Sequence, residues 1–190
     1  MKRIAVFCGS NFGTRPDYES AALKLASSLV EQNLELVYGG TQTGTMGILA
    51  SEVLRLGGQA IGVVPQSESL FQRAQQGLSA LHVVESMHKR KALMAELCDG
   101  FIALPGGLGT LDEFFEAATW SQLKLHQKPC GLLNVAGFYD DLLRFLDGAV
   151  REGMLRSEYR EMVLSSSDAT ELIENMRNYE FPQVEKWVTV

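Results

Sequence analysis

A glutamate and an arginine are the residues of this chain best suited to chemistry. Glu113 ends the stretch Pro105-Gly106-Gly107-Leu108-Gly109-Thr110-Leu111-Asp112-Glu113, and Arg90 lies in Met87-His88-Lys89-Arg90-Lys91. The first stretch follows an apolar run, Gly100-Phe101-Ile102-Ala103-Leu104, that reads as a buried strand. It leads into Phe114 to Trp120, which reads as a helix. A glycine-dense turn from strand to helix brings bare backbone N–H groups to a ligand at the positive end of a helix dipole, and phosphate binds such places readily. Glu113 would stand one turn into that helix, beside whatever the loop holds. In the second stretch, Ser86 is placed to cap a helix whose first turns carry three basic residues. Cations there cost roughly 0.3–1 kcal/mol each against the dipole. Lys89 fits a solvated surface position. Arg90 with Lys91 points to an anion site, because a guanidinium grips phosphate or carboxylate through two parallel hydrogen bonds.

Glu113 is open to a second reading. Thr110-Leu111-Asp112-Glu113 fits a capping box, in which Thr110 caps the helix and Glu113 reaches back to its backbone N–H. Glu116, nearly one turn on, is a rival carboxylate, and Asp112 reads as a solvated residue favoured by the dipole.

These segments need a frame, and the rest of the chain supplies one. Short β-rich runs alternate with helical patterns: Ile4 to Cys8, a helix from about Pro16 to Gln32, Leu34 to Tyr38, a helix from Met46 to Leu56, then Ala60 to Val64. Leu81 to Val84 follows, then a helix from about Met87 to Cys98 and the Phe101 strand with its helix. Cys130 to Asn134, a helix from about Tyr139 to Glu152, Met162 to Leu164 and a helix near Asp168–Met176 complete the pattern. Continuous apolar strands alternating with helices imply a parallel sheet covered on both faces. The fold class expected is α/β: a Rossmann-like, doubly wound, three-layer sandwich with ligands beyond the C-terminal strand ends. Gly9, Gly39-Gly40, Pro65 and Gly106-Gly107 all fall at such ends. One domain over residues 1–180 is expected, with a tail, 181–190, that packs on the body or on a second subunit.

Composition narrows the partners. The 190 residues carry a formal charge of −6, which argues against a nucleic-acid-binding surface, and 46% are hydrophobic against 21% charged, ordinary for a globular protein. Cys8, Cys98 and Cys130 lie far apart in apolar surroundings, so buried reduced thiols and a cytoplasmic location are expected. Met1-Lys2-Arg3 is followed by too short an apolar run for a signal peptide, and no run approaches the roughly 20 residues of a membrane span. Gly9-Ser10-Asn11-Phe12-Gly13 lacks the dinucleotide spacing, and Tyr38-Gly39-Gly40 ends without a carboxylate for a ribose hydroxyl. Gly39 to Gly47 has no Lys-Ser/Thr ending, which disfavours a Walker-type ATPase. His82, His88 and His126 are scattered, so no metal site and no bound cofactor are expected.

The two motifs together resemble those of one family. Pro105 to Glu113 matches the PGGxGTxxE motif, and Met87 to Lys91 the MHxRK motif, of the Lonely Guy (LOG) family of cytokinin riboside 5′-monophosphate phosphoribohydrolases. The likeness takes in Val6-Phe7-Cys8-Gly9-Ser10, the loop from Tyr38 to Gly47, Trp120 to Leu123 and Lys128 to Val135. The resemblance implies hydrolysis of the N-glycosidic bond of a purine nucleoside 5′-monophosphate, AMP or an N6-modified AMP, by a homodimer. It implies Arg90 and Glu113 as catalytic residues, with the backbone of Gly107, Leu108, Gly109 and Thr110 on the 5′-phosphate. Lys91 and Thr119 match further nucleotide-contact positions, and Ser10, Gly40, Met87, Leu111 and Asp112 complete the expected substrate-binding set. An older label, lysine decarboxylase, finds no identifiable Schiff-base lysine site here. Two departures stand out: Leu108 where the family commonly has Tyr, and Gln72 where it usually has Glu. Gln72 lies in a loop, Ser67 to Arg73, that in the family contributes to the base side of the pocket. Glu-to-Gln adds a donor to an acceptor-only group and bears on the choice of base. The competing function is a non-catalytic nucleotide or cofactor carrier or sensor, which needs the glycine loop but no carboxylate at the glycosidic bond.

Overall fold

The computed structural model describes residues 1–66 and 74–183. The expectations about Ser67 to Arg73, Gln72 included, and about the tail from residue 184 onward lie outside the described residues.

Seven parallel strands form one sheet in the order β4-β3-β2-β1-β5-β6-β7. They are β1 (Arg3–Phe7), β2 (Glu35–Tyr38), β3 (Ala60–Pro65), β4 (Ala80–Val84), β5 (Gly100–Ala103), β6 (Cys130–Leu133) and β7 (Val163–Ser166). The helices are α1 (Pro16–Glu31), α2 (Gly44–Arg55), α3 (Met87–Leu97), α4 (Leu108–Gln122), α5 (Asp140–Arg151), α6 (Ser157–Glu161) and α7 (Ala169–Arg177). From β1 the chain steps outward through β2, β3 and β4, and α3 then carries it back to β5 on the other side of β1. The strand order therefore reverses between β1 and β5. In sheets of this kind a crevice opens at that point, outside the carboxyl ends of the strands.

Side chains of alternate strand residues point to opposite faces, and the two cores divide accordingly. Ala5 pairs in register with Val37 on β2 and Phe101 on β5. All three belong to the core shared with Met94 of α3, Phe114 of α4 and Leu146 of α5. Their neighbours Ile4, Leu36 and Ile102 face the other core, with Leu25 of α1, Leu49 of α2 and Leu172 of α7. The expected doubly wound, three-layer α/β fold is what the chain adopts. Every residue of β3 is buried, as a strand covered on both faces requires.

Some expectations need correction. Leu81 to Val84 has the composition of the other apolar strands, yet it is an edge strand, and Leu81 and Val83 are exposed. The helix after the glycine loop begins at Leu108, ahead of Thr110, and α2 begins at Gly44, ahead of Met46. In both, glycines that look like loop residues lie inside the first turn. α6 and a single 3₁₀ turn over Val135–Gly137 are too short to show a helical period.

Candidate active site

Loops from both sides of the strand reversal converge on a cleft of about 500 Å³. Gly9 and Ser10 come from the β1 loop, Pro105 to Thr110 from the turn into α4, Met87 and Arg90 from α3, and Met46 from α2. Phe12, Tyr18 and Phe138 add aromatic surface, with the Tyr18 and Phe138 rings edge to face at 5.7 Å. The Tyr139 hydroxyl donates to the Leu104 carbonyl at 2.6 Å, tying the segment after β6 to the end of β5. Two glycines permit the loops to approach so closely. A Cβ on Gly106 would collide with the Thr110 side chain, and one on Gly44 with the backbone of Ser10 and Asn11. Thr45 adds a further tie, its hydroxyl donating to the Gly9 carbonyl at 2.9 Å.

The α4 N-terminus is bare. Gly107 is its N-cap, no side chain caps it, and no acidic residue occupies the first turn. The first intrahelical bond of the turn runs from the Leu111 N–H to the Gly107 carbonyl at 3.1 Å. The N–H groups of Leu108, Gly109 and Thr110 therefore have no partner within the helix. Gly107, Leu108 and Gly109 are exposed, and a Cβ on Gly107 or Gly109 would meet nothing within 4 Å. Uncapped, open helix termini of this kind are suited to anions.

The capping-box reading of Glu113 does not hold. With Leu108 as the first helical residue, Thr110 lies inside the first turn and Glu113 a turn beyond it. Its carboxylate faces Arg90 instead, with Oε1 3.4 Å from Nη2, and both side chains are about nine-tenths buried, at 12% exposure for Arg90 and 10% for Glu113. Burial pushes the Glu113 carboxyl above the usual carboxylate range, and the Arg90 charge only partly offsets that. Arg90 is itself under-used: its Nε–H is buried without a hydrogen-bond partner among the described residues. Ser86 does cap α3, accepting from the Lys89 N–H at 3.2 Å, and so fixes the turn that carries Arg90. Cys8 also lines the cleft, but burial pushes its thiol up to about 12, so no thiolate nucleophile is available there.

Of the expected binding residues, Ser10, Met87, Gly107, Leu108, Gly109, Thr110 and Asp112 line the cleft with Arg90 and Glu113. Gly40, Lys91, Leu111 and Thr119 do not line it. Leu111 packs on the core beneath α4, and Thr119 is exposed farther along that helix. Lys91 is held by two carboxylates, Asp112 at 3.0 Å and Glu116 at 3.1 Å. Glu116 is thus not a rival to Glu113, and Asp112 is an ion-pair partner although its side chain is 63% exposed. Sequence reasoning did not single out Phe12, Tyr18, Met46 or Phe138. Nothing in their spacing sets them apart from core residues.

A doubly wound α/β sheet with a bare helix N-terminus and a buried Arg–Glu pair at the strand reversal is a Rossmann-like architecture of the kind that holds phosphorylated ligands at its carboxyl strand ends. Comparison with known proteins narrows the class. Residues 46–176 match the family model described as possible lysine decarboxylase. The chain is 45% identical over 180 residues, 95% of its length and 83% of the relative's, to cytokinin riboside 5′-monophosphate phosphoribohydrolase LOG7 of Arabidopsis thaliana. It is 46% identical to LOG2 of the same plant, covering 94% of this chain and 84% of the relative. The enzyme LOG of Oryza sativa subsp. japonica is 44% identical, over 94% of this chain and 74% of its own. The chain belongs to the LOG family. Among solved structures, TM1055, a structural genomics target, aligns with a TM-score of 0.72 at 20% identity over 94% of this chain and all of its own. The molybdenum cofactor carrier protein of Chlamydomonas reinhardtii aligns with a TM-score of 0.69 at 20% identity, covering 93% of this chain and 96% of its own. At these identities the likeness is one of fold. No helix among the described residues is long and apolar enough to cross a membrane.

Proposed function

We propose that this protein hydrolyses the N-glycosidic bond of purine nucleoside 5′-monophosphates, AMP or N6-modified AMP of the cytokinin type, releasing free base and ribose 5-phosphate. The observation that carries the reading is that a phosphate-ready helix terminus and a buried Arg–Glu pair open into one cleft. The N–H groups of Leu108, Gly109 and Thr110 hold the 5′-phosphate, which places the ribose over the next turn of α4, where Glu113 stands. Breaking the bond builds positive charge on the ribose. The base departs with the electron pair of the broken bond, and the Glu113 carboxylate stabilises the oxocarbenium-like ribose and takes a proton from the attacking water. The departed base takes up a proton in exchange, so that neutral base and ribose 5-phosphate result. Burial suits Glu113 to both tasks, since an unhydrated carboxylate interacts more strongly with developing charge and is a better base. Arg90 keeps Glu113 ionised and aimed, and its free Nε–H donates to the substrate.

The carboxylate and guanidinium favour an enzyme over a carrier, which needs the phosphate contacts alone. Ser10, Met87 and Asp112 border the bound nucleotide. We place the protein in the cytoplasm, which the three free, buried cysteines support. A homodimer is supported by the apolar end of α4, where Leu123 is 61% and Leu125 70% exposed, and by α3, which buries only Met94 fully.

The purified protein is to be incubated with AMP, isopentenyladenosine monophosphate, GMP and CMP, with released base and ribose 5-phosphate measured. Release from the adenine nucleotides is expected. No release from any of them, with tight AMP binding, would establish the carrier instead.

A further inference from the structure

Arg90 extends from the first turns of α3 to the carboxyl end of β2, where Gly39 follows Tyr38. A Cβ built on Gly39 would overlap Arg90 Nη2, well inside van der Waals contact distance, and would stand 3.2 Å from Arg90 Cζ and 3.1 Å from Met46 Sδ. The guanidinium thus occupies the space that any side chain at position 39 would fill. Gly39 is buried, and its φ lies outside the left-handed region, so an alanine suits its backbone. The nearest obstacles to that methyl group are the ends of two flexible side chains and no backbone atom. On its other side the guanidinium meets Glu113 at 3.4 Å and the Met87 thioether at 3.8 Å, and its Nε–H has no hydrogen-bond partner among the described residues. Few hydrogen bonds fix this group, so packing must hold it in place.

We propose that Gly39 is a positioning residue for hydrolysis: its missing side chain is the floor that seats the Arg90 guanidinium against Glu113. The proposal rests on the hydrolytic reading of that pair. Substitution at position 39 then acts through Arg90 and leaves the fold alone. It differs from substitution at Gly44 or Gly106, where the obstacle includes backbone or a buried threonine.

Gly39→Ala separates the possibilities. Its thermal midpoint should stay within a few degrees of the parent, while kcat for AMP falls at least tenfold. Because the Arg90 charge holds the Glu113 pKa down, displacing it moves the Glu113 titration upward, read by carboxyl ¹³C NMR. The acid limb of the kcat/KM profile should move with it. In the Arg90→Lys background, whose ammonium lacks the planar group, adding Gly39→Ala should change kcat less than twofold. Unaltered kcat, an unaltered Glu113 titration, additive losses or a variant that fails to fold would each overturn the proposal. If the parent protein releases no base from AMP, the hydrolytic reading fails, and the NMR titration still decides where Gly39 puts Arg90.

Discussion

Two neighbouring cations on one helix form ion pairs with carboxylates on a second, and the two contacts are built to different standards. Arg90 and Lys91 are neighbours on α3; Glu113 and Asp112 are neighbours on α4. Lys91 is satisfied: two carboxylates hold its ammonium at 3.0 and 3.1 Å, outside the cleft lining. Among the described residues Arg90 meets one carboxylate at 3.4 Å, inside the cleft, and its buried Nε–H has no hydrogen-bond partner. A buried donor without a partner costs roughly 1–3 kcal/mol, so a purely structural pair would not leave one. The protonation equilibria point the same way. Burial alone would lower the Lys91 pKa, but the hydrogen bonds that its ammonium donates to Asp112 and Glu116 outweigh it, and the group ends above its ordinary value. Glu113 ends on the unfavourable side, its carboxyl raised despite the arginine. Lys91 ties the two helices together with its charge well compensated, whereas Glu113 beside it is buried with its charge only partly compensated.

The largest test of this contrast is Glu113→Gln. It keeps the shape and removes the charge, and hydrolysis of AMP should fall at least about a thousandfold, in the range of lost electrostatic and base catalysis together. Stability should move the other way. A carboxyl whose folded pKa is raised favours the folded state most at low pH, and that contribution is lost as pH rises through the folded value. Above that raised value the parent carries the penalty of a buried charge, which the Gln variant lacks, so there the variant should melt at the same temperature or higher. A variant that loses both activity and stability would make Glu113 a structural residue. Arg90→Gln comes next, with a loss of about a hundredfold in kcat/KM, comparable to removing one preorganised donor. Without the arginine charge Glu113 titrates higher still, so the acid limb of its pH profile should lie above that of the parent, itself above the usual carboxylate range.

This contrast between neighbours is where sequence and structure part. The PGGxGTxxE and MHxRK motifs mark Arg90 and Glu113, and glycine punctuation marks the strand ends that bring them together. Residue types alone do not show which of two adjacent cations faces the cleft. That depends on the rotation of α3 about its axis, set by burial of Met94 and by the Ser86 cap. The Thr110 cap reading failed for a related reason. Gly107 offers no side-chain acceptor, yet it serves as N-cap, and the helix begins before the residue with the better capping chemistry. The alternation of buried strands and helices is legible because the inner strands, β3, β2, β1, β5 and β6, are covered on both faces. The edge strand β4, covered less well, carries the weaker signal.

Lys91→Met carries the smallest expected loss and gives the comparison its finest test. It keeps the stem and removes the ammonium, releasing Asp112 and Glu116. Asp112 is 63% exposed and Glu116 26%, so water takes over much of the lost interaction. A destabilisation of about 1–2 kcal/mol is expected, which in a domain of this size lowers the thermal midpoint by roughly 2–4 °C per kcal/mol. If Lys91 is a clamp, kcat falls by less than about tenfold, as expected of a small misplacement rather than a lost catalytic group. The KM for AMP then stays near that of the parent. Asp112→Asn with Glu116→Gln should reproduce the effect from the other side, leaving the lysine charge in place. If Lys91 instead touches the nucleotide, Lys91→Met raises KM while the double carboxamide variant, which frees the ammonium, does not. The clamp also has a pH signature of its own. With the lysine pKa raised in the folded state, its stabilisation persists through neutral pH and fades only as pH climbs through that raised value, so the stability gap between parent and Lys91→Met should narrow in strong alkali.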